Sequence, residues 1–393
     1  MDENNNINQL IEILSQNKLE EFKNEINNYQ NNLINQINKK FEQFDKAFNK
    51  HIEMYNEQIK NKMINNDDIL RKKQINLKEI KIPPLICLKK LDNTNYLINL
   101  LLQYLSNIYS LVIYFFNQNK ENKILQNSKN DPTGNYLCPT FLKLLDNLWK
   151  GTNKIYDPKE IHKTLKNLKK IDYNSPNPGK ILKDIIIILH RELISDKDKQ
   201  FLEKPRGNND KKVASDQFDT YNEFYKSKIS IQFFSTIKKV IKNQDMPKFY
   251  LYDTIPIIEI YLDKGKGHNL SLENDFKDLF KNYNEQIEKI SITKLPFQLV
   301  ININRGNNQK KLSYPKILEC ECLLDNKVKG NFDLYGVIMK NNNNNYYAYL
   351  KNCINSRWYL YKGEAIQLVY DENNVINERE ALLLIYQFKE ENQ

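Results

Sequence analysis

Cysteine and histidine are the residue types that would carry nucleophilic or metal chemistry in this chain. The cysteines are Cys87, Cys138, Cys320, Cys322 and Cys353, and the histidines are His51, His162, His190 and His268. Cys320 and Cys322 form a Cys-x-Cys pair, and no Cys-x-x-Cys or His-x-x-x-His pattern accompanies them. Zinc sites need four closely placed ligands of these types. The sequence therefore predicts no metal site and no cofactor.

The charge of the chain is basic but not concentrated. Lys and Arg number 59 and Asp and Glu number 49, which gives a formal net charge of +10. The basic clusters are scattered, without interleaved aromatic residues or a helix-turn-helix pattern. They are Lys39-Lys40, Arg71-Lys72-Lys73, Lys89-Lys90, Lys169-Lys170, Lys211-Lys212 and Lys310-Lys311. Such clusters are typical of solvated surfaces, and nucleic-acid contact is the minority interpretation.

The first 80 residues have the pattern of a long amphipathic helix. Apolar residues recur three and four positions apart over residues 19–59, without proline or glycine. The spacing averages about 3.6 rather than 3.5 residues, so an irregular coiled coil and a helix folded back on the body both fit. Pro83-Pro84 cannot continue a helix, which predicts a domain boundary near residue 80. We expect this arm, residues 1–80, to contact a protein partner.

Beyond the arm, helical patterns come before strand patterns. Helices are predicted over residues 97–116, 141–149, 158–168 and 179–193. Strands are predicted over residues 249–260, 297–303, 332–339, 346–350, 357–361 and 382–388. A helical part followed by a mainly antiparallel sheet predicts an α+β fold. The most apolar stretch, residues 96–116, contains enough asparagine, glutamine and serine to favour a buried helix over a membrane span.

One segment carries a more specific pattern. Residues 86–105 read Ile-Cys-Leu-Lys-Lys-Leu-Asp-Asn-Thr-Asn-Tyr-Leu-Ile-Asn-Leu-Leu-Leu-Gln-Tyr-Leu. This resembles the cysteine box of ubiquitin-specific proteases, Gly-Leu-x-Asn-Leu-Gly-Asn-Thr-Cys-Tyr-x-Asn-x-x-x-Gln-x-Leu. The shared residue types are Asn93, Thr94, Tyr96, Asn99, Gln103 and Leu105.

Later segments resemble the same family in the same order. Asp333-Leu334-Tyr335-Gly336-Val337 is similar to Tyr-Asp-Leu-x-Ala-Val. Tyr346-Tyr347-Ala348-Tyr349 is similar to Gly-His-Tyr-x-Ala-Tyr, and Trp358-Tyr359-Leu360-Tyr361 to Trp-Tyr-x-Phe-Asp-Asp. Leu295-Pro296 with Arg305 is similar to Leu-Pro-x-x-Leu-x-x-x-Leu-x-Arg-Phe. The resemblance implies a papain-like fold with a helical thumb lobe over about residues 85–205, reduced fingers over about 206–250 and an antiparallel-sheet palm over about 251–393, preceded by the long coiled-coil-type helix.

The family's chemistry needs a cysteine nucleophile, a histidine base and an aspartate or asparagine that orients the histidine. On the resemblance, the cysteine position is Asn95, the histidine position is Asn345 and the aspartate position is Lys362. The asparagine that would help to bind the oxyanion is replaced by Lys90. The family's Gln-Asp-Ala segment, whose acid would meet the arginine-rich tail of ubiquitin, aligns with Pro176-Asn177-Pro178. The resemblance therefore implies a degenerate site with no intact catalytic residue.

These observations predict a catalytically inactive ubiquitin-specific-protease-like protein that serves as a scaffold or protein-interaction module. Ubiquitin binding is expected to be weak or absent. Two alternatives stay open, namely an active deubiquitinating cysteine hydrolase with a misplaced nucleophile such as Cys87, and a basic nucleic-acid-associated protein. An odd number of cysteines and a polar start, Met1 to Asn6, favour an intracellular location, cytoplasmic or nuclear.

Overall fold

A computed structural model of the chain describes residues within Lys81–Gln393. They are residues 85–90, 93–120, 136–151, 153–168, 171–194, 215, 220, 227–241, 249–280, 287–306, 310–323 and 330–389. The predicted arm over residues 1–80 lies outside these described residues, so its helix, its coiled coil and the boundary near residue 80 stay predictions.

Helices make up most of the first part of the described chain. They are α1 (Asn93–Ser106), α2 (Tyr109–Lys120), α3 (Leu137–Lys150), α4 (Lys159–Asn167), α5 (Pro178–Leu193), α6 (Lys228–Phe233), α7 (Leu272–Leu279) and α8 (Cys320–Leu323). The predicted helices over 141–149, 158–168 and 179–193 correspond to α3, α4 and α5. Their buried faces pack together with α1 and α2 in one apolar core.

The single helix predicted over 97–116 is wrong at its centre, where α1 and α2 meet at 79°. The buried Asn107 lies at this junction. Its Nδ2 donates to the Lys351 carbonyl, its Oδ1 accepts from the Cys353 amide at 3.2 Å, and its carbonyl accepts from the Tyr335 hydroxyl at 2.7 Å. In a continuing helix the Asn107 carbonyl would accept from an amide one turn later. It accepts from the Tyr335 hydroxyl instead, and the side-chain bonds fix this arrangement, so the helix does not continue through Asn107. Within the described residues no single helix is long and apolar enough to cross a membrane, although the bent pair passes that test by length and composition.

Strands dominate the second part of the described chain. They are β1 (Cys87–Leu88), β2 (Ile155–Tyr156), β3 (Ser235–Ile241), β4 (Phe249–Ile255), β5 (Ile258–Tyr261), β6 (Asn269–Ser271), β7 (Ile287–Lys294), β8 (Gln298–Asn304), β9 (Lys311–Ser313), β10 (Ile317–Glu319), β11 (Asn331–Lys340), β12 (Tyr346–Lys351), β13 (Trp358–Lys362), β14 (Ala365–Leu368) and β15 (Ala381–Lys389). An eight-stranded sheet has the order β14-β13-β12-β11-β15-β8-β5, with β10 paired to β11. Its pairs are antiparallel except β5 with β8. A separate antiparallel sheet has the order β4-β3-β7.

Both faces of the eight-stranded sheet are covered. Val300 of β8 and Ile385 of β15 pack against the helices, whereas Leu299 and Leu384, their chain neighbours, pack into a second core that contains α7. This explains why β8, β11 and β15 are nearly continuous apolar runs instead of alternating ones. The α+β class predicted from the sequence is confirmed.

Two local predictions for cysteines are corrected. Proline after Cys138 predicts a loop, but Cys138 and Pro139 both lie in the first turn of α3. Proline fits there because a first-turn amide has no partner within the helix. The alternation Cys320-Glu321-Cys322 predicts a strand with both sulfurs on one face, but the strand β10 ends at Glu319 and both cysteines lie in the short helix α8.

Candidate active-site cleft

The box segment, defined here as residues 86–90, is held in place by amide side chains of α1. Asn99 and Gln103 are one turn apart on this helix. The Asn99 Nδ2 donates to the Lys89 carbonyl at 3.0 Å, and the Gln103 Nε2 donates to the Ile86 carbonyl at 2.7 Å. These bonds fix the strand β1 and the residues that follow it against the helix. The two residue types that carry the resemblance in α1 therefore have a structural role.

A buried histidine, which the sequence patterns did not single out, completes this arrangement. His162 of α4 is 3% exposed. Its Nε2 lies 2.7 Å from the Asn99 Oδ1, and its Nδ1 lies 2.5 Å from the Tyr173 hydroxyl. Because the Asn99 Nδ2 is the donor to Lys89, the Oδ1 accepts and the His162 Nε2 must donate. His162 thus positions Asn99. Its only signal in the sequence is its place on the apolar face of α4.

The residues at the predicted base and orienting positions lie at the same end of the sheet. Asn345 directly precedes β12, and Lys362 is the last residue of β13. The two strands pair antiparallel, with Ala348 opposite Tyr361, so the start of β12 meets the end of β13. Both residues are exposed. The Asn345 amide donates to the Asn341 Oδ1 at 3.0 Å, which is a turn contact.

The box segment approaches this end of the sheet directly. The Lys90 amide donates to the Glu364 Oε1 at 2.8 Å, and the Cys87 Sγ lies 3.9 Å from the Gly363 carbonyl. Asn95 lies in the first turn of α1, five residues after Lys90, and its side chain is outside the described residues. The backbone thus brings the box segment and the 362–364 turn together, as the resemblance requires.

The position of the family's nucleophile can be counted in two ways. Asn93-Thr94 places it at Asn95, as predicted from the sequence. In the motif, Asn and Gln follow the cysteine by three and seven residues. From Asn95, Asn99 and Gln103 are each one residue too late, and counted back from these two residues the cysteine position is Tyr96. Burial raises the pKa of Tyr96 above its ordinary range, and the neighbouring Cys87 adds to the effect. Neither Asn95 nor Tyr96 is a cysteine, so neither alignment places a thiol at the nucleophile position.

Three of the described thiols, those of Cys87, Cys138 and Cys353, are weakly acidic, and Cys353 is partly buried. Burial and the nearby Glu364 carboxylate raise the pKa of Cys87 to about 12. Burial raises the pKa of Cys353 to about 12 and that of Cys138 well above its ordinary value. Cys320 is also buried. The thiolate is the nucleophilic form, and at these pKa values it is rare near neutral pH.

The segment that aligns with the family's Gln-Asp-Ala forms the start of α5. Asn177 is the N-cap, and its Oδ1 accepts from the Lys180 amide at 3.2 Å. The Pro176 carbonyl accepts from the Tyr346 hydroxyl at 2.8 Å, which joins this segment to β12. Gly179 lies so close to β8 that a Cβ there would be 2.2 Å from the Asn302 Cγ. The side chain of Asn177, which aligns with the aspartate of the family's Gln-Asp-Ala segment, therefore caps its own helix.

The described residues contain no group of three or more His, Cys, Asp or Glu side chains that could hold a metal ion.

Comparisons with known proteins place this fold in a family. The sequence model described as ubiquitin carboxyl-terminal hydrolase matches residues 86–386. The chain therefore belongs to the ubiquitin carboxyl-terminal hydrolase family, and its fold is the ubiquitin-specific-protease type, with helices and antiparallel sheets. No sequence among the curated proteins matches the chain.

Solved structures of a yeast complex have the same fold. A chain of the Ubp8-Sgf11-Sgf73-Sus1 SAGA DUB module superposes with a TM-score of 0.56 at 16% identity, over 83% of this chain and 74% of that one. The module with a mutant Sgf73 gives a TM-score of 0.54 at 16% identity, over 83% and 73%. The module bound to monoubiquitin gives 0.53 at 15% identity, over 83% and 76%.

Proposed function

We propose that this chain is a catalytically inactive member of its family that acts as a protein-interaction module. One observation carries the proposal, namely that the positions matching the family's cysteine, histidine and aspartate hold Asn95, Asn345 and Lys362. The amide of Asn95 cannot replace a cysteine thiolate as nucleophile. The amide of Asn345 cannot accept a proton near neutral pH, so it cannot replace a histidine as base. A lysine at the orienting position would repel the imidazolium that the reaction forms.

The cysteines with described side chains give no substitute nucleophile. Cys87 lies in the box segment, with its Sγ 3.9 Å from the Gly363 carbonyl. Its burial next to Glu364 disfavours the thiolate, because it raises the pKa of Cys87 to about 12. Cys138, Cys320 and Cys353 lie in or against the apolar cores. The side chain of Cys322 is outside the described residues. These environments argue against a misplaced nucleophile.

The described histidines are equally unsuited to act as a base at the proposed site. His162 bonds through both ring nitrogens to Asn99 and Tyr173. His190, at the end of α5, lies 2.6 Å through its Nδ1 from the Ser227 hydroxyl. His268 is exposed beside β6. None of these three lies at the start of β12, next to the proposed base position Asn345.

A role in binding is supported by what the chain retains and by what it lacks. The retained family residues Asn99 and Gln103 hold the box segment against α1, and Tyr335 of β11 donates to the Asn107 carbonyl at the junction of α1 and α2. The structural neighbours are modules that contain Sgf11, Sgf73 and Sus1, so this fold is known within protein assemblies. We propose that a protein partner binds this chain through the arm over residues 1–80, in an intracellular compartment. Ubiquitin itself is expected to bind weakly, because Asn177 has no charge and the cleft carries lysines.

Hydrolysis of a ubiquitin substrate with a C-terminal fluorogenic group tests this proposal. The full chain and its Asn95→Cys variant are compared with a family member whose triad is intact. Both versions of this chain should give no turnover above the blank, because a restored cysteine still lacks a base and a proton donor for the leaving amine. Turnover by the unmodified chain that disappears in a Cys87→Ser variant would contradict the inactive state and identify the nucleophile.

A further inference from the structure

We propose that the degenerate cleft binds an acidic, extended peptide segment of a partner protein. The contact surface is a lysine rim, defined here as Lys89, Lys90 and Lys362. This inference rests on the proposed function, since it assigns a new occupant to a cleft that no longer performs hydrolysis.

The backbone brings the three lysines to one edge of the cleft. Lys90 is joined to the 362–364 turn by the bond from its amide to the Glu364 Oε1, 2.8 Å long. Lys362 precedes that turn and pairs with Ala365 across it. Lys89 is fixed beside Lys90 by the bond from the Asn99 Nδ2 to its carbonyl. All three lysine residues are exposed.

The charge of this edge is positive. In sequence, the adjoining segments, residues 85–92 and 358–368, contain three lysines and two carboxylates, Asp92 and Glu364, so their net charge is positive. None of the three ammonium groups forms an ion pair with a described residue. The Lys90 Nζ lies 5.9 Å from the centre of the Tyr96 ring, so it stays at the edge of the cleft. Exposed, unpaired ammonium groups attract carboxylates and increase the rate of encounter with acidic partners.

The neighbouring strand favours an extended peptide as the occupant. β14 starts at Ala365, directly after Glu364, and within the described sheet it is an outermost strand with one neighbour, β13. The backbone of an outer strand can pair with an added strand, while side chains of that strand supply specificity. Glutamate or aspartate side chains on an added strand would meet the lysine rim at its end.

The same geometry disfavours a single-stranded nucleic acid. Proteins of that class stack bases on exposed aromatic rings. Among the aromatic residues next to the rim, Tyr96, Tyr359 and Tyr361 are at most 7% exposed, and Tyr346 and Tyr347 at the start of β12 are partly buried. Phosphates could meet the lysines, but the bases would find no exposed ring among these residues.

Fluorescence anisotropy with the full chain tests the inference. The probe is a labelled peptide of alternating glutamate and glycine, and a lysine–glycine peptide serves as its control. The acidic peptide should bind at about 50 mM salt and weaken at about 200 mM salt, because exposed charge pairs are screened. The double variant Lys90→Asn with Lys362→Asp places the family's own residue types at these positions and should weaken binding about 10-fold.

A matched variant separates the rim from net charge. Lys266→Asn with Lys294→Asp makes the same charge change at two exposed lysines elsewhere, and it should bind the acidic peptide as the unmodified chain does. Equal weakening by both double variants would overturn the inference, as would absence of binding. If the double rim variant does not fold, the single variant Lys362→Gln replaces it in the test. This variant keeps the charge of Lys90, so its affinity for the acidic peptide should fall by less than about 10-fold.

Two further outcomes have distinct meanings. Tighter binding of a single-stranded oligonucleotide of equal charge, with the same dependence on Lys90 and Lys362, would replace the peptide by nucleic acid and overturn the inference. Failure of peptide binding while the fluorogenic substrate stays uncleaved overturns only this inference. Cleavage of that substrate overturns the proposed function, whatever the peptide does.

Discussion

At the residue scale, we propose that the residues that hold the fold together are separate from the positions at which the family's chemistry acts. Asn99 and Gln103 hold the box segment, and Tyr346 starts the strand next to the proposed base position. On the proposed alignment, the cysteine and histidine positions carry the amides Asn95 and Asn345.

His190 gives a prediction on acid stability. Burial lowers the pKa of His190 from 6.5 to about 4, with Arg191 adding to the effect. A folded-state pKa below the unfolded value means that the neutral ring stabilises the fold above pH 6.5, and that this contribution is lost as the pH falls toward 4. It amounts to roughly 2 to 3 kcal/mol.

The His190→Asn variant keeps an acceptor for the Ser227 hydroxyl and removes the titration. Its free energy of unfolding in urea should therefore fall less than that of the unmodified chain between about pH 6.5 and about pH 4. His268→Asn, which makes the same substitution at an exposed site, is the control. An unchanged slope in His190→Asn would show that His190 is not the group responsible.

How far the sequence predicts the site depends on the kind of contact. Motif spacing alone predicts the positions of Asn345, Lys362 and Lys90 along the chain. The register of β12 and β13 brings Asn345 and Lys362 to one end of the sheet, and the bond from the Lys90 amide to Glu364 joins the box segment to that end. The bond between His162 and Asn99 could not be placed, because these residues are 63 positions apart and no local pattern links them. The burial of Cys87 was missed for the same reason, since it depends on the distant turn at Gly363.

At the element scale, periodicity predicted the helical segments of α1 to α5 and seven of the 15 described strands to within a few residues. The predicted strands are β4 and β5, taken as one span, and β8, β11, β12, β13 and β15. Helices α6, α7 and α8 and the other eight strands were not predicted, and four residues, as in α8, are too few for a periodic signal. The break between α1 and α2 was not predicted either, because it depends on bonds from Asn107 to β11 and to the 351–353 segment and not on local preference.

The N-cap of α5 gives a prediction that separates stability from ubiquitin recognition. Asn177→Ala removes the acceptor for the Lys180 amide and should lower the free energy of unfolding by about 1 kcal/mol. Asn177→Asp restores the family's acid and also caps the helix, so its stability should stay within about 0.5 kcal/mol of the unmodified chain. Chemical denaturation measures both.

Calorimetric titration with ubiquitin completes that experiment. Asn177→Asp alone should not produce tight binding, because Lys90 and Lys362 still repel a basic tail. An Ala variant as stable as the unmodified chain would contradict the capping role. Low-micromolar binding of ubiquitin by the unmodified chain would contradict the expectation of weak binding.

At the scale of the whole molecule, the arm is the feature that sequence alone describes. Its apolar positions, among them Leu19, Phe22, Ile26, Phe41, Phe44 and Phe48, would expose more apolar surface than a solitary helix leaves in water. We therefore expect the full chain to associate, with itself or with a partner. The sequence predicts that the arm has an apolar face, but it does not predict what packs against that face. Both a coiled coil and docking onto the rest of the chain fit the same spacing of apolar residues.

Light scattering on the full chain tests self-association. The double variant Phe41→Asp with Phe44→Asp should lower the measured mass toward that of the monomer, because charges in an apolar seam are costly to bury. Tyr370→Asp, at a site that is 84% exposed, is the control and should leave the mass unchanged. A helical, monomeric full chain at all concentrations would contradict self-pairing and leave docking as the interpretation.

The central claim is that this family fold has no catalytic thiol, and reaction with a ubiquitin probe tests it most directly. The probe carries a thiol-reactive group at its C-terminus, and intact-mass measurement after incubation near neutral pH detects a covalent adduct. The full chain should keep its unmodified mass of 46.9 kDa, while a relative with an intact triad is fully labelled. An adduct at Cys87, Cys138, Cys320, Cys322 or Cys353 that denaturation of the protein prevents would contradict the claim, because it would show a folded site that activates that cysteine.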